Sequence, residues 1–252
     1  MATSVRSVER AFDILKCFQF AENDSVSLGS IAESVDLPVS TIFRLLGTLV
    51  SIGVLQRNED HSYSTGEELY LLGAVIASQF RPRSAALPYM RTLRDETKEA
   101  VSLYGMQDGF RVCYEHLLGT LSNRCIVRVG EHLPLWAGAA GKVLLAYAGE
   151  GAIEREASKL MKLTPATITD REELIEELHR IRMQDYAVSR GERDEGIVSI
   201  AVPIFDRDGR SPLCISLSAP SARVDLEKIG EFAAKMQAIS AKISEELAEY
   251  EF

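Results

Sequence analysis

The run from Ser27 to Ser64 constrains the fold of this chain more than any other stretch, because helical and strand patterns follow one another there without a break. Apolar residues recurring every three or four positions predict one helix at 28–35 and another at 38–52. Asp36-Leu37-Pro38 separates the two helices, and proline suits the first turn of a helix because it lacks an N–H that would be unpaired there. Two helices joined by so short a turn predict a helix-turn-helix.

A β-hairpin is predicted directly after this pair of helices. Residues 54–57 and 61–64 have the composition of short strands on either side of the turn Asn58-Glu59-Asp60. A hairpin in this place is a wing, so residues 1–65 are predicted to form a winged helix-turn-helix domain that binds double-stranded DNA. The alternative is a small bundle of helices that mediates interactions only, which the hairpin disfavours.

Helices are also predicted on both sides of this segment. The residues expected to face inward from a first helix at 4–18 are Val5, Val8, Phe12 and Leu15. A linker helix within 66–82 is apolar on more than one side, so we expect it to pack against a partner chain. Arg81-Pro82-Arg83 is predicted to mark the boundary with a second domain at 83–252.

The second helix of the pair has a polar face opposite its apolar one, formed by residues at four- and three-residue intervals from Ser40 to Ser51. Arg44 is predicted to reach a base edge or a phosphate, because a guanidinium can donate two hydrogen bonds to one guanine. Helix ends, small hydroxyls and the wing are expected to hold the phosphates. The candidate DNA-binding residues are Ser27, Ser40, Thr41, Arg44, Thr48, Arg57 and Ser62.

The formal net charge of −9 argues mildly against a nucleic-acid partner. From Pro38 to Asn58, however, the only charged side chains are Arg44 and Arg57. The local field matters more than the total charge when a single helix enters a groove. The alternative interpretation, in which Arg44 is simply a solvated surface side chain, remains open at this point.

The rest of the chain alternates helical and strand patterns. Helices are predicted near 84–98, 138–148, 150–160, 170–184 and at the C-terminus, and strands near 101–106, 111–116, 124–129, 186–189, 197–205 and 213–218. Asp206-Arg207-Asp208-Gly209 is predicted to join the last two strands as a hairpin. Helices flanking a mostly antiparallel sheet place the chain in the α+β class.

Several stretches together resemble the IclR family of bacterial regulators. They are SVERAFDILKCF, SLGSIAESVDLPVSTIFRLLGTLVSIGVLQR, YSTGEELYLLG, GEHLPLWAGAAGKVLLAYAG and GIVSIAVPIFDRDGRSPLCISLSAP, in the family's order. The resemblance implies a GAF-like effector domain, a dimer formed through the DNA-binding domains and linker helices, often a tetramer, and hence a pseudo-palindromic operator. Asp36 stands in the turn where the family often has glycine, and aspartate tolerates a left-handed backbone better than most residues.

The resemblance also implies a pocket for a small-molecule effector. The matching positions are Leu133, Ala139, Ala140, Ser189, Ile197, Ser199, Ser216 and Ser218, and Trp136 is a further candidate because it stands where the family more usually has histidine. Ser189 and Ser199 occupy positions where some relatives have aspartate and cysteine.

The residues themselves favour a pocket of this kind. Bare N–H groups where the helix at 138–148 begins would attract an anion. Ser216 and Ser218 lie two apart on a strand and so share one face, while Leu133 and Ile197 would supply an apolar wall. We therefore expect a small carboxylate or hydroxy acid as the effector. The alternative is that these are ordinary strand and core residues.

Other chemistries find little support. The segment from Gly138 to Val143 lacks the first glycine and the Ser/Thr of a phosphate-binding loop, and arginines interrupt the acidic cluster of Glu192, Asp194 and Glu195, which favours a solvated loop. The cysteines and histidines are dispersed without metal-ligand spacing, so the four cysteines are predicted to be small buried hydrophobes and no cofactor is expected.

Neither a membrane span nor a signal peptide is predicted, so we expect a cytoplasmic protein. No pair of residues forms a convincing nucleophile and base, so we do not expect an enzyme. Two alternatives stay open. One is a metabolite-binding enzyme whose N-terminal helices serve assembly. The other is a DNA-binding regulator that answers to a partner protein and has no pocket.

Overall fold

The computed structural model describes residues 5–20, 24–121 and 125–250. They fall into two compact units divided between Phe80 and Arg81. The first unit contains the helices α1 (Arg6–Lys16), α2 (Leu28–Ser34), α3 (Val39–Ser51) and α4 (Glu67–Gln79), and the antiparallel strands β1 (Leu55–Arg57) and β2 (Tyr63–Thr65).

The core of the first unit holds α2 and α3 together as a helix-turn-helix. Ile31 on α2 and Ile42 and Leu46 on α3 are fully buried against Ile14 of α1. Ser27 caps α2, since its Oγ accepts a hydrogen bond from the N–H of Ser30 at 3.1 Å. The hairpin of β1 and β2 follows α3, so the predicted winged helix-turn-helix is confirmed.

The predicted inward stripe of α1 is wrong for three of its four residues, and only Leu15, which is half-buried, packs against the core. Val5, Val8 and Phe12 are 60%, 64% and 61% exposed, and Ile14 is the one fully buried residue of the helix. Ile14 lies half a turn round the helix from Val5 and Phe12, and it is this side that packs on α3. The helix has apolar residues on both sides, so periodicity alone did not identify the buried one. The predicted residue Ser4 lies outside the described residues.

The second unit is a six-stranded antiparallel sheet with helices on both faces. Its elements are α5 (Arg81–Thr97), β3 (Ala100–Gln107), β4 (Phe110–Leu117), β5 (His132–Leu133), α6 (Ala139–Ala146), α7 (Glu150–Ala157), α8 (Arg171–Gln184), β6 (Ala187–Arg190), β7 (Ile197–Ile204), β8 (Leu213–Pro220) and α9 (Leu226–Glu246). The strand order is β5-β4-β3-β8-β7-β6, which confirms the predicted α+β class.

Alternation along the central strands separates two cores. Val101 and Leu103 of β3, with Ile215 and Leu217 of β8, face α5 and α9. The intervening residues face the opposite side, where Cys214 packs in the core that contains α6 and α8. The period of two along each strand therefore places every second side chain on the face that packs against α6 and α8.

One prediction about local structure is corrected. The predicted strand at 124–129 is not formed over 125–129, and residue 124 lies outside the described residues. The edge of β4 pairs instead with β5, through Arg111 opposite Leu133 and Val112 opposite His132. Arg81-Pro82-Arg83, predicted to mark the domain boundary, forms the first turn of α5 at the start of the second unit. Pro82 is tolerated there because first-turn N–H groups have no helical partner.

No helix in the described part of the chain is both long and apolar enough to cross a membrane.

Candidate functional site

The first candidate site is the outward face of α3. Ser40, Arg44 and Thr48 are exposed on it, as the sequence predicts, and Thr41 beside them is half-buried. Arg44 forms no side-chain hydrogen bond or ion pair with any described residue, and it is free to contact a ligand. The hydroxyl of Thr48 donates to the backbone oxygen of Arg44 at 3.1 Å, so it is already partnered within the helix.

Two residues on this face were not identified from the sequence. Phe43 is 55% exposed beside Arg44, and Gly47 is exposed on the next turn. A Cβ on Gly47 would meet nothing within 4 Å, so the fold of the protomer does not require glycine there. Their place at i+3 and i+7 from Ser40 is the signal that could have found them.

The wing places the remaining DNA-binding candidates differently. Arg57 on β1 is exposed, and Ser27 is exposed at the start of α2. Ser62, by contrast, is buried, and its Oγ donates to Oδ1 of Asp60 at 2.6 Å and accepts from Nδ2 of Asn58 at 2.9 Å. These hydrogen bonds hold the turn of the wing, and the bonds from Ser62 lower the pKa of Asp60. Ser62 thus stabilises the hairpin and does not present its hydroxyl to an outside partner.

The second candidate site is a cavity of about 220 Å³ in the second unit. Five of the predicted effector residues line it: Ser189, Ile197, Ser199, Ser216 and Ser218. The serines are paired on neighbouring strands of the sheet: Ser189 with Ser199, Ser199 with Ser218, and Ser216 with Ser102. One face of β3, β6, β7 and β8 therefore presents a ladder of hydroxyl groups.

The other four predicted effector residues do not line this cavity. Leu133, Trp136, Ala139 and Ala140 are buried in the core around α6. The indole N–H of Trp136 donates to the backbone oxygen of Met161 at 3.3 Å, which satisfies it within the protein. All eight residues of α6 are buried, so its alanines have protein on every side.

The start of α6 is already occupied by the protein's own groups. The N–H of Gly138 donates to Oε2 of Glu192 at 3.2 Å, and the N–H of Ala139 donates to Oγ of Ser199 at 3.4 Å. A carboxylate at the positive end of a helix is a favourable arrangement, and here Glu192 supplies it. These two N–H groups are therefore not the bare anion site that the sequence suggests.

The predicted solvated loop of Glu192, Asp194 and Glu195 is wrong for Glu192. It is buried, and its Oε1 lies 2.6 Å from Nζ of Lys142, a side chain that is itself almost fully buried. Lys142 in turn pairs with Oε1 of Glu177 at 2.8 Å. Asp194 pairs with Arg193 at 2.6 Å, and Glu195 is exposed. Among the described residues, no group of three or more His, Cys, Asp or Glu could hold a metal ion.

Arg111 on β4 is the most unusual group in the cavity wall. It is 4% exposed, and its Nε and Nη2 find no hydrogen-bond partner within the described ranges. Its guanidinium lies over the ring of Tyr104, 4.8 Å from the centroid, and burial lowers the pKa of Arg111. A Cβ on Gly138, whose φ is +85°, would lie 3.2 Å from Nη1, so glycine there lets the guanidinium approach.

His116 lies on the same strand and also faces the cavity. Its Nδ1 is 2.8 Å from Oγ of Ser102. Burial lowers the pKa of His116, and this effect opposes the smaller influence of the carboxylates of Glu115 and Glu131. The ring therefore contributes a polar but neutral group at neutral pH.

Sequence reasoning missed Arg111 and His116, although one signal was present. Arg111 lies two positions before Cys113 in an alternating strand, so it shares the face on which Cys113 is buried. An arginine in the buried phase of a strand is unusual unless it is paired, which marks the position for attention.

Both units match known protein families. Residues 7–59 match the model of the IclR helix-turn-helix domain, and residues 76–245 match that of the bacterial transcriptional regulator IclR C-terminal region. The chain is 32% identical to the HTH-type transcriptional regulator KdgR of Escherichia coli K12, over 99% of this chain and 95% of KdgR. It is 31% identical to XynR of the same strain, over 96% of this chain and 97% of XynR.

Solved structures agree with these matches. The IclR transcriptional regulator from Alicyclobacillus acidocaldarius superposes with a TM-score of 0.88 and 27% identity, over 97% of this chain and 99% of that one. An IclR homologue from Microbacterium hydrocarbonoxydans, complexed with 4-hydroxybenzoate, gives a TM-score of 0.83 and 26% identity, over 96% of this chain and 98% of that one.

Proposed function

Because the chain belongs to the IclR family of bacterial transcriptional regulators, we propose that it represses transcription from an operator that it binds as a dimer, under the control of a small organic acid. In this proposal residues 1–65 bind DNA, residues 66–82 form the linker, and residues 83–252 bind the effector. The observation that carries the DNA-binding part is the outward face of α3, on which Arg44 has no partner within the protein's described part.

The dimer is supported by apolar surface that the protomer leaves exposed. Tyr70, Leu71, Leu72, Val75 and Ile76 of α4 are all at least half exposed, and α4 buries none of its residues. Val5, Val8 and Phe12 on α1 are also exposed apolar residues of the first unit. Exposed apolar area of this kind marks a protein interface. Two copies would present two α3 helices to successive half-sites of a pseudo-palindrome, and two dimers could associate further as a tetramer.

The effector part of the proposal rests on the cavity in the second unit. A ligand can change operator affinity only if it binds one arrangement of the dimer better than another. A route toward the linker exists along the chain itself. Arg83 on the first turn of α5 pairs with Glu115 of β4 at 2.5 Å, next to His116 in the cavity wall, and a single residue separates the end of α4 from the start of α5. The bound 4-hydroxybenzoate of the Microbacterium homologue supports an organic acid as ligand.

The DNA-binding part is tested by fluorescence anisotropy with fragments from the regions flanking the protein's own gene. Arg44→Ala should weaken binding to the fragment that wild type selects by about 1–3 kcal/mol, since it removes a base contact. Arg207→Ala is the matched control, because it removes an exposed arginine from the hairpin turn of the second unit. Equal affinity of wild type and Arg44→Ala would contradict the assignment of α3.

The same preparation separates this proposal from the alternatives. Catalysis is not part of it, so an acid that stabilises the protein should be recovered unchanged after prolonged incubation. Turnover of that acid, together with failure to bind any flanking fragment, would favour the enzyme. A regulator controlled by a partner protein would bind DNA but respond to no acid.

A further inference from the structure

We propose that the effector is a monocarboxylate whose carboxylate is held by the guanidinium of Arg111, and not by the N–H groups where α6 begins. This inference rests on the proposed effector function and adds to it the chemical class and the anchoring residue. The helix start is the site that the sequence favours, and it already holds Glu192 and Ser199.

Arg111 is the charged group of the cavity wall that has no counter-ion among the described residues. Of the other charged side chains there, Glu192 is paired with Lys142, and Arg193 is paired with Asp194. Arg111 forms no ion pair with any described residue, and two of its nitrogens are buried without a hydrogen-bond acceptor. A buried charge in this state is costly unless something arrives to pair with it, which points to an anion as the missing partner.

The geometry of a guanidinium selects among anions. Its N–H groups form a flat fork that matches the two oxygens of a carboxylate, and hydrogen bonds of this kind are stronger than those between neutral groups. The ring of Tyr104, 4.8 Å below Arg111, fixes the plane of that fork. Glycine at position 138 removes the side chain that would otherwise crowd Nη1. The site is therefore shaped for a planar anion presented edge-on.

The remainder of the cavity argues for one carboxylate rather than two. With Arg111 neutralised, the other lining charges are balanced, and a second negative group would meet the carboxylates of Glu192 and Asp194. The rest of the sheet face presents hydroxyl groups, among them Ser102, Ser216 and Ser218, which can both donate to and accept from ligand hydroxyls. A volume of about 220 Å³ limits the ligand to a small metabolite. The best match is a small hydroxylated monocarboxylic acid.

The test is a thermal-shift and calorimetric screen of the full-length protein. The probes are lactate, glycerate, gluconate and 4-hydroxybenzoate, with the amides of the same acids as uncharged counterparts and malate and tartrate as dicarboxylates. At least one monocarboxylate should raise Tm, and its amide and the dicarboxylates should not. Equal stabilisation by an amide, preference for a dicarboxylate, or no stabilisation by any monocarboxylate overturns the proposal.

Variants of Arg111 then test the anchor. Arg111→Met should bind the stabilising acid about 10- to 100-fold more weakly, which corresponds to losing hydrogen bonds to a charged group. It should also raise Tm in the absence of acid, since it removes an unpaired buried charge, so it provides its own evidence of folding. Arg111→Lys keeps the charge but loses the forked pair of N–H donors, so its affinity for the acid should lie between those of wild type and Arg111→Met. Arg207→Met, which removes an exposed arginine from the turn between β7 and β8, should keep the wild-type affinity.

The outcome for Arg111 can be told apart from the fate of the proposed function. If the acid stabilises wild type and Arg111→Met equally but still changes operator affinity, the anchor is wrong and the effector function stands. If binding depends on Arg111 but the acid leaves operator affinity unchanged, the anchor stands and the regulatory function is wrong.

Discussion

Nζ of Lys142 lies 2.6 Å from Oε1 of Glu192, and this buried ion pair connects the first turn of α6 to the wall of the cavity. The other carboxylate oxygen of Glu192 accepts from the N–H of Gly138, and Lys142 also donates to Glu177 and to the backbone oxygen of Val188. The pair thereby joins α6, α8 and the end of β6. This network therefore helps to hold Glu192, which is part of the cavity wall, in place.

Replacing Lys142 should destabilise the second unit strongly. Lys142→Met leaves Glu192 buried without its partner, and breaking a buried ion pair from one side costs about 3–5 kcal/mol. Urea unfolding followed by the fluorescence of Trp136, the chain's one tryptophan, measures the change. Lys162→Met, on the surface, is the control. Lys142→Met/Glu192→Gln should recover part of the loss, and a double variant less stable than the single one would count against the network.

Gly47→Ala should separate folding from DNA binding. Alanine in a helix interior is more favourable than glycine by about 1 kcal/mol, and the added methyl meets nothing within 4 Å, so the first unit should become more stable. The methyl would also stand beside Arg44 on the face proposed to approach DNA, so operator affinity should fall. Thermal denaturation and anisotropy measure the two effects. Gly230→Ala on α9, another glycine with open space around it, should leave operator affinity unchanged. If Gly47→Ala also left operator affinity unchanged, this face of α3 would not be the one that enters the DNA groove.

The stability of the second unit should fall in mild acid because of His116. Burial lowers the pKa of folded His116 below its usual value of about 6.5, so as the pH falls the unfolded chain takes up a proton first. The stability that comes from keeping His116 neutral in the folded state is therefore complete above about pH 6.5 and is lost as the pH falls below it. Urea unfolding at pH 7.5 and 5.5 measures the loss of unfolding free energy in acid. This loss should be smaller for His116→Gln than for wild type. His179 is exposed on α8, so His179→Gln should lose as much unfolding free energy in acid as wild type does. If both variants lost less than wild type by the same amount, His116 would be excluded as the cause.

The four cysteines should react with iodoacetamide in two groups. Burial raises the pKa of Cys113 to about 12 and also raises that of Cys214, and both are inaccessible, so they should be alkylated only on unfolding. Cys17 and Cys125 are half-buried and should react first. Because Cys125 lines the cavity, a bound acid should slow its alkylation and leave that of Cys17 unchanged, as mass spectrometry of the peptides would report. Equal protection of both would place the acid elsewhere.

The fold was largely predictable because its signals are local. The turn Asp36-Leu37-Pro38, the period of α3 and the alternation of β7 and β8 each lie within one short segment. The serines of the cavity followed from that alternation together with the family resemblance. The prediction for α1 failed because two of its sides are apolar, and only packing against Ile42 and Leu46 decides between them.

The rest of the candidate site depends on which strands are neighbours. Arg111 reaches the cavity because β4 lies beside β3 and next to the short strand β5, a pairing that no local pattern reveals. Glu192 is buried because Lys142, 50 positions earlier in the chain, points at it. Ser62 is buried because the wing turn recruits its hydroxyl. Each of these facts belongs to tertiary structure.

The two-faced alternation of β3, β7 and β8 has a consequence for how such a protein can change. Ser102, Ser199, Ser216 and Ser218 line the cavity, while their immediate neighbours Val101, Leu103, Ile200 and Leu217 support α5 and α9. Diversity restricted to the first set can retune chemical selectivity without loosening the scaffold. A combinatorial library built on those four codons is a practical starting point for turning this chain into a biosensor for other acids.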